Sequence, residues 1–143
     1  MTLAVATEAE LRIELWRSFL SVLKSYAALA NIGEGAEAAN LVDSPWLIVW
    51  STLSTDGRRR FSLNVCYDAP KDKGMWRIDV SDEPFKTDKI GLNSLGDSFR
   101  PFSLHEDGTV ALEGSTLDMD HAAIELIGWF SNSIKTGRIE ILA

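Results

Sequence analysis

Between positions 11 and 29 the apolar residues return at steps of three and four. Leu11, Leu15, Phe19, Val22, Tyr26 and Leu29 form one stripe, and Trp16, Leu20, Leu23 and Ala27 a second beside it. That period predicts a long helix over about residues 8–31 with a wide apolar arc, and Arg12, Glu14, Arg17, Ser21 and Lys24 fill what remains of its circumference. Thr7 and Glu10 stand at capping-box spacing at its start, and Gly33 after Asn31 is the expected C-cap.

After a small, acidic connection at 33–45 the period changes from helical to alternating. Trp46–Leu53 is rich in aromatic and β-branched residues, Asp56-Gly57 is a hairpin signal, and Phe61, Leu63, Val65 and Tyr67 alternate with Ser62, Asn64 and Cys66. A turn at Lys71–Gly74 leads to Trp76, Ile78 and Val80 alternating with Arg77, Asp79 and Ser81, which completes a three-stranded antiparallel meander. Residues 85–98, interrupted by Gly91 and Gly96, read as a loop or short helix. Strands at 99–104 and 109–113 flank the turn Glu106-Asp107-Gly108, with Pro101 better suited to a sheet edge. Asp118 caps a last helix whose Ala123, Leu126, Ile127, Phe130 and Ile134 share a face and which ends at Gly137; 138–142 adds a short final strand. Helices segregated from one antiparallel sheet make the class α+β, in a single domain spanning residues 1–143.

Composition narrows the possible functions. With 45% hydrophobic and 24% charged residues the chain is neither disordered nor of low complexity. Fourteen basic against 21 acidic residues, a net charge of −7, argue against nucleic acid as a partner. The longest strongly apolar run, Trp46–Trp50, is far short of the roughly 20 residues needed to cross a bilayer. The opening Met-Thr-Leu-Ala-Val-Ala-Thr-Glu has no basic leader, so no membrane association and a cytoplasmic location are expected. One cysteine, Cys66, provides neither an internal disulfide nor a multi-thiolate metal site.

Candidate chemistry is sparse. Gly33-Glu34-Gly35-Ala36-Glu37-Ala38 has the letters of a dinucleotide fingerprint. It follows a helix instead of a strand, and its glutamates would repel phosphate, so a helix end is the better reading. His105 and His121 lie near Asp107, Asp118 and Asp120 but match no compact metal-ligand spacing, and no nucleophile elbow surrounds a serine. Arg58-Arg59-Arg60 reads as a charged hairpin that keeps a sheet edge soluble. No catalytic residue, metal or cofactor is expected, although an enzyme with a cryptic site around His105 or His121 is a further alternative.

The functional hint is hydrophobic excess. Trp46, Ile48 and Trp50 point to one side of the first long strand and Leu47, Val49 and Leu53 to the other, more apolar surface than one sheet face requires. Either the strand is covered on both sides or it meets a second subunit or an apolar partner, with Trp46, Trp50, Trp16 and Phe19 as the expected contact residues. The element order, together with Phe99–Gly114 running strand, Asp-Gly turn, strand and then helix, resembles the type III secretion chaperone-like fold, which includes the YbjN-type sensory transduction regulators. That resemblance implies a non-enzymatic homodimer that binds a segment of another protein. The sequence expectation is thus a chaperone-like protein-binding module, with an acidic inhibitor steering onto a basic target as the other binding reading.

Overall fold

The computed structural model describes residues 8–38, 46–54, 57–82 and 94–136. Helix α1 (Glu8–Leu29) leads into strands β1 (Ala36–Ala38), β2 (Trp46–Leu53), β3 (Arg59–Asp68), β4 (Lys73–Asp82), β5 (Ser94–Leu104), β6 (Thr109–Leu112) and β7 (Ser115–Asp118), and helix α2 (Met119–Thr136) closes the order. The strands form one sheet in sequence order, each pair antiparallel, so the α+β class is as expected. No helix among the described residues is long and apolar enough to cross a membrane.

The alternation of the strands decides which face the helices cover. Ile48 and Trp50 of β2 stand in register with Val65 and Leu63 of β3, and these with Trp76 and Ile78 of β4. All six are buried, and they pack with Trp16, Phe19, Leu23 and Ala27 of α1 and with Ala123, Leu126 and Phe130 of α2. Both helices therefore lie on one side of the sheet. Within α1 the stripe of Trp16, Leu20, Leu23 and Ala27, joined by Phe19, supplies the core, whereas Leu11 and Leu29 of the other stripe are exposed.

Four rings make a column through this core. Trp16 stacks on Tyr67 at 5.6 Å, Tyr67 on Phe102 at 6.0 Å and Phe102 on Trp76 at 5.6 Å between centroids, with interplanar angles of 17°, 18° and 25°. Tyr67 and Phe102 sit on strands separated by β4, and they meet because Gly74 lies between them in register. With no side chain there, the Phe102 ring lies directly over the β4 backbone: a Cβ on Gly74 would come within 2.2 Å of its Cζ.

Several boundaries differ from the sequence reading, each for a local reason. The C-cap of α1 is Asn31, not Gly33: Ile32 N donates to Ala27 O and Asn31 N to Ala28 O, a Schellman pair, with Asn31 left-handed at φ 58°. Ile32 then packs into the core beside the helix end. The connection after α1 contains β1, and residues 94–98, read as loop or short helix, extend β5, because ladder pairing with β4 as far as Ser94 outweighs weak local propensity. Two residues, Glu113-Gly114, turn β6 into β7, with Gly114 at φ 85°, so β6 ends at Leu112 and an unforeseen strand precedes α2. Pro101 is near an edge after all: β5 pairs with β6 only from Phe102 to Leu104. The Thr7 capping box, Asp56, Pro84, residues 85–93, the Gly137 helix end and the strand at 138–142 lie outside the described residues.

The N-cap of α2 is as read. Asp118 Oδ1 accepts the His121 backbone N–H at 2.7 Å, and His121 Nδ1 lies 2.8 and 2.9 Å from the two carboxylate oxygens. At the other hairpin Asp107 Oδ1 accepts from the Thr109 hydroxyl at 2.6 Å and its N–H at 3.0 Å. These bonds, led by the Thr109 hydroxyl at Asp107 and the His121 backbone N–H at Asp118, hold both carboxyls below the ordinary range. A carboxylate depressed in the folded state contributes stability that is complete above its unfolded value, near 4, and is lost as pH falls through the folded one. The urea midpoint should accordingly hold from about pH 6 to about 5 and decline below about 4, and Asp107→Asn with Asp118→Asn should flatten that decline.

Candidate partner-binding surface

The sheet has a second face, and no described element covers it. By register it carries the row Leu47, Cys66, Met75 and Pro101 across β2 to β5, and beside it the row Val49, Asn64, Arg77 and Phe99. Leu53 extends the apolar side of β2. Phe99 is 58% exposed, Leu53 41% and Met75 37%, while Leu47, Val49 and Cys66 are half-buried among them. Polar residues interrupt the patch at its centre: Arg77 bridges Asp79 at 2.8 Å, and Asn64 donates to the same carboxylate at 3.1 Å. Burial pushes the Cys66 thiol up, so this cysteine is a weak nucleophile that belongs to the packing of the face.

The four residues expected to contact a partner divide differently. Trp16 and Trp50 are each 1% exposed and Phe19 is fully buried, so all three are core and have no surface to give a partner; Trp46 is half-buried against the same core. The two-sided character of β2 is real, but the apolar residues left uncovered lie on the opposite parity, Leu47, Val49 and Leu53, with Met75 and Phe99 on the same face. Alternation in β2 pointed to its own share of this face. Met75 and Phe99 were hidden because each is the single large apolar residue among the paired outer-parity residues of its strand, and only the ladder registers bring them to one face.

A cleft of about 440 Å³ opens at one end of the molecule between α1 and two turns, lined by Leu11, Arg12, Leu15, Asp72, Leu104, His105, Glu106 and Asp107. It holds a histidine beside carboxylates, so its chemistry is worth weighing. Asp72 Oδ1 accepts from Tyr67 O–H at 2.7 Å and from Leu104 N–H at 2.9 Å, and Arg12 donates to Ala69 O and Pro70 O at 3.2 and 3.1 Å. Asp107 is engaged by Thr109, and Thr109 Oγ1 is 3.4 Å from His105 Nδ1. Asp72 and Asp107 thus fasten turns, and Arg12 ties α1 to the β3–β4 turn; among the described residues no serine or cysteine lines the cleft. His121 is occupied at the α2 cap, and among the described residues no three His, Cys, Asp or Glu groups are placed to hold a metal.

Asp72 makes the fastening testable. Its backbone is left-handed at φ 50°, a conformation aspartate and asparagine tolerate better than alanine. Asp72→Asn, which keeps an acceptor and that tolerance, should cost under about 1 kcal/mol, whereas Asp72→Ala, leaving Tyr67 O–H and Leu104 N–H unpaired, should cost about 2–3 kcal/mol in urea unfolding.

No protein-family model, curated protein or solved structure matches the chain.

Proposed function

We propose that this protein is a non-enzymatic, chaperone-like protein-binding module that holds an apolar protein surface against the uncovered face of its sheet. The observation that carries the reading is that Leu53, Met75 and Phe99, from three different strands, stand exposed on one face while both helices occupy the other. Exposed apolar residues gathered into a patch mark interaction sites far more often than the same residues scattered singly. The turn-fastening roles of Asp72 and Asp107 in the cleft favour binding over catalysis, and the resemblance of the element order to the type III secretion chaperone-like fold agrees with it.

The test is suppression of aggregation. The purified chain should lower the light scattering of a heat-aggregating model protein, and the pair Met75→Glu and Phe99→Glu should lose most of that effect with little change in thermal melting. Suppression should persist in high salt, because an apolar contact is not screened; steep loss with salt would favour the acidic-inhibitor reading instead. Undiminished suppression by the double variant would move the site off this face.

A further inference from the structure

We propose that the occupant of the uncovered face is a second copy of this chain, the two sheets packing face to face about a two-fold axis. This rests on the reading of that face as a protein-binding surface and names what it binds.

Charge is the first argument. Two copies carrying −7 each repel, so they associate only where the acidity is locally absent. Glu10, Glu14, Glu106, Asp107, Asp120 and Glu125 stand on the helices and turns, away from this face. On the β2–β4 part of the face Arg60, Lys73 and Arg77 alternate with Asp68 and Asp79. Mixed signs near balance give no preference for a strongly basic or strongly acidic partner, but they suit self-pairing. Across a two-fold axis the same patch meets itself, so Arg77 of one copy can face Asp79 of the other while each keeps its apolar surroundings.

Shape and size agree. Sheets pack about 10 Å apart when their facing side chains interdigitate. Here Leu47 and Met75, then Val49 and Phe99, stand in two adjacent rows, and the row beyond them begins with the small pair Ser51 and Ser62, which gives a relief of ridges and hollows. Four strands about 4.8 Å apart, with roughly eight residues each at about 3.4 Å, present on the order of 500 Å² of flat area per copy. A pair then buries about 1,000 Å² before side-chain relief is added, the size at which specific interfaces begin.

The experiment is solution mass by light scattering over about a hundredfold range of concentration, with a chemical probe of the face alongside it. The wild-type mass should rise towards twice 15.8 kDa. Phe99→Glu and, separately, Met75→Ser should raise the dimer dissociation constant by about tenfold or more while leaving the far-ultraviolet spectrum unchanged. Cys66 is the only cysteine and lies between Leu47 and Met75 in register, so its alkylation by N-ethylmaleimide should slow as wild-type concentration rises and stay constant in Phe99→Glu. A monomer at every concentration overturns the proposal, as does a dimer whose mass and Cys66 alkylation are indifferent to both variants. A monomer that still suppresses aggregation through Phe99 leaves the protein-binding reading standing and refutes only the occupant; loss of both effects removes both.

Discussion

Replacing Gly74 by alanine is expected to destabilise the protein by about 3 kcal/mol or more, an unusual effect for adding one methyl group to a strand. The added Cβ would come within 2.2–2.5 Å of three atoms of the Phe102 ring, so the ring must swing off the β4 backbone. Swinging it away breaks its stacking with both Tyr67 and Trp76 and disturbs its edge contact with Phe19 at 5.7 Å. Close packing offers no alternative hollow for a ring of that size. A double-mutant cycle separates this mechanism from a simple loss of strand geometry. Phe102→Ala alone should cost about 3–5 kcal/mol by leaving a cavity. Once the ring is gone Gly74→Ala should add less than about 1 kcal/mol, a strongly non-additive result that urea unfolding can resolve. Full additivity would mean that Gly74 matters for its backbone and not for the ring above it.

Gly74 also illustrates what could and could not be read in advance. As a sequence feature it marked the end of the Lys71–Gly74 turn, but β4 begins at Lys73, so Gly74 is already a strand residue in register with Tyr67. Its second role, clearing space between Tyr67 and Phe102, depends on a three-strand register that no local pattern encodes. The elements that were legible are those whose period is long and strong: α1, the β2–β4 meander, the Asp-Gly hairpins and α2 with its Asp118 cap. Those that were not are short or made by pairing. β1 is three residues and β7 four, too brief for alternation to register, and the first five residues of β5 are strand only because β4 offers them a ladder.

The candidate surface was half legible for a related reason. A strand apolar on both parities declares that something must lie on each side, and β2 does so through Trp46, Ile48 and Trp50 against Leu47, Val49 and Leu53. Which parity meets the helices is decided by the rest of the sheet. β3 and β4 each have one apolar parity, and the antiparallel registers align it with Ile48 and Trp50. The largest aromatic residues then follow the larger buried area, because covering them with two helices removes more apolar surface from water than a partner patch would. That is why tryptophans, the natural first choice for an interface by residue type, here belong to the core.

Trp50→Glu should therefore abolish folding instead of selectively removing a partner. The indole is 1% exposed, Ile48 and Trp50 lie directly under Gly35, and a Cβ on that glycine would come within 2.9 Å of the indole Cε2. Glutamate at this position loses the ring's burial, opens a cavity and brings a carboxylate into an apolar core, which together exceed about 5 kcal/mol, comparable to the whole stability of a domain this size. Circular dichroism should show a largely unfolded chain at 25 °C. Trp50→Phe supplies the contrast. It shortens the ring but also deletes an indole N–H that has no hydrogen-bond partner among the described residues, so part of the packing loss is offset and the cost should stay near 1–2 kcal/mol. Phe99→Glu, on the opposite face, should change stability by no more than about 0.5 kcal/mol. If instead Trp50→Glu remained folded and lost only partner binding, the assignment of the two faces would be reversed, and the contact surface would have to be sought on the helical side of the sheet.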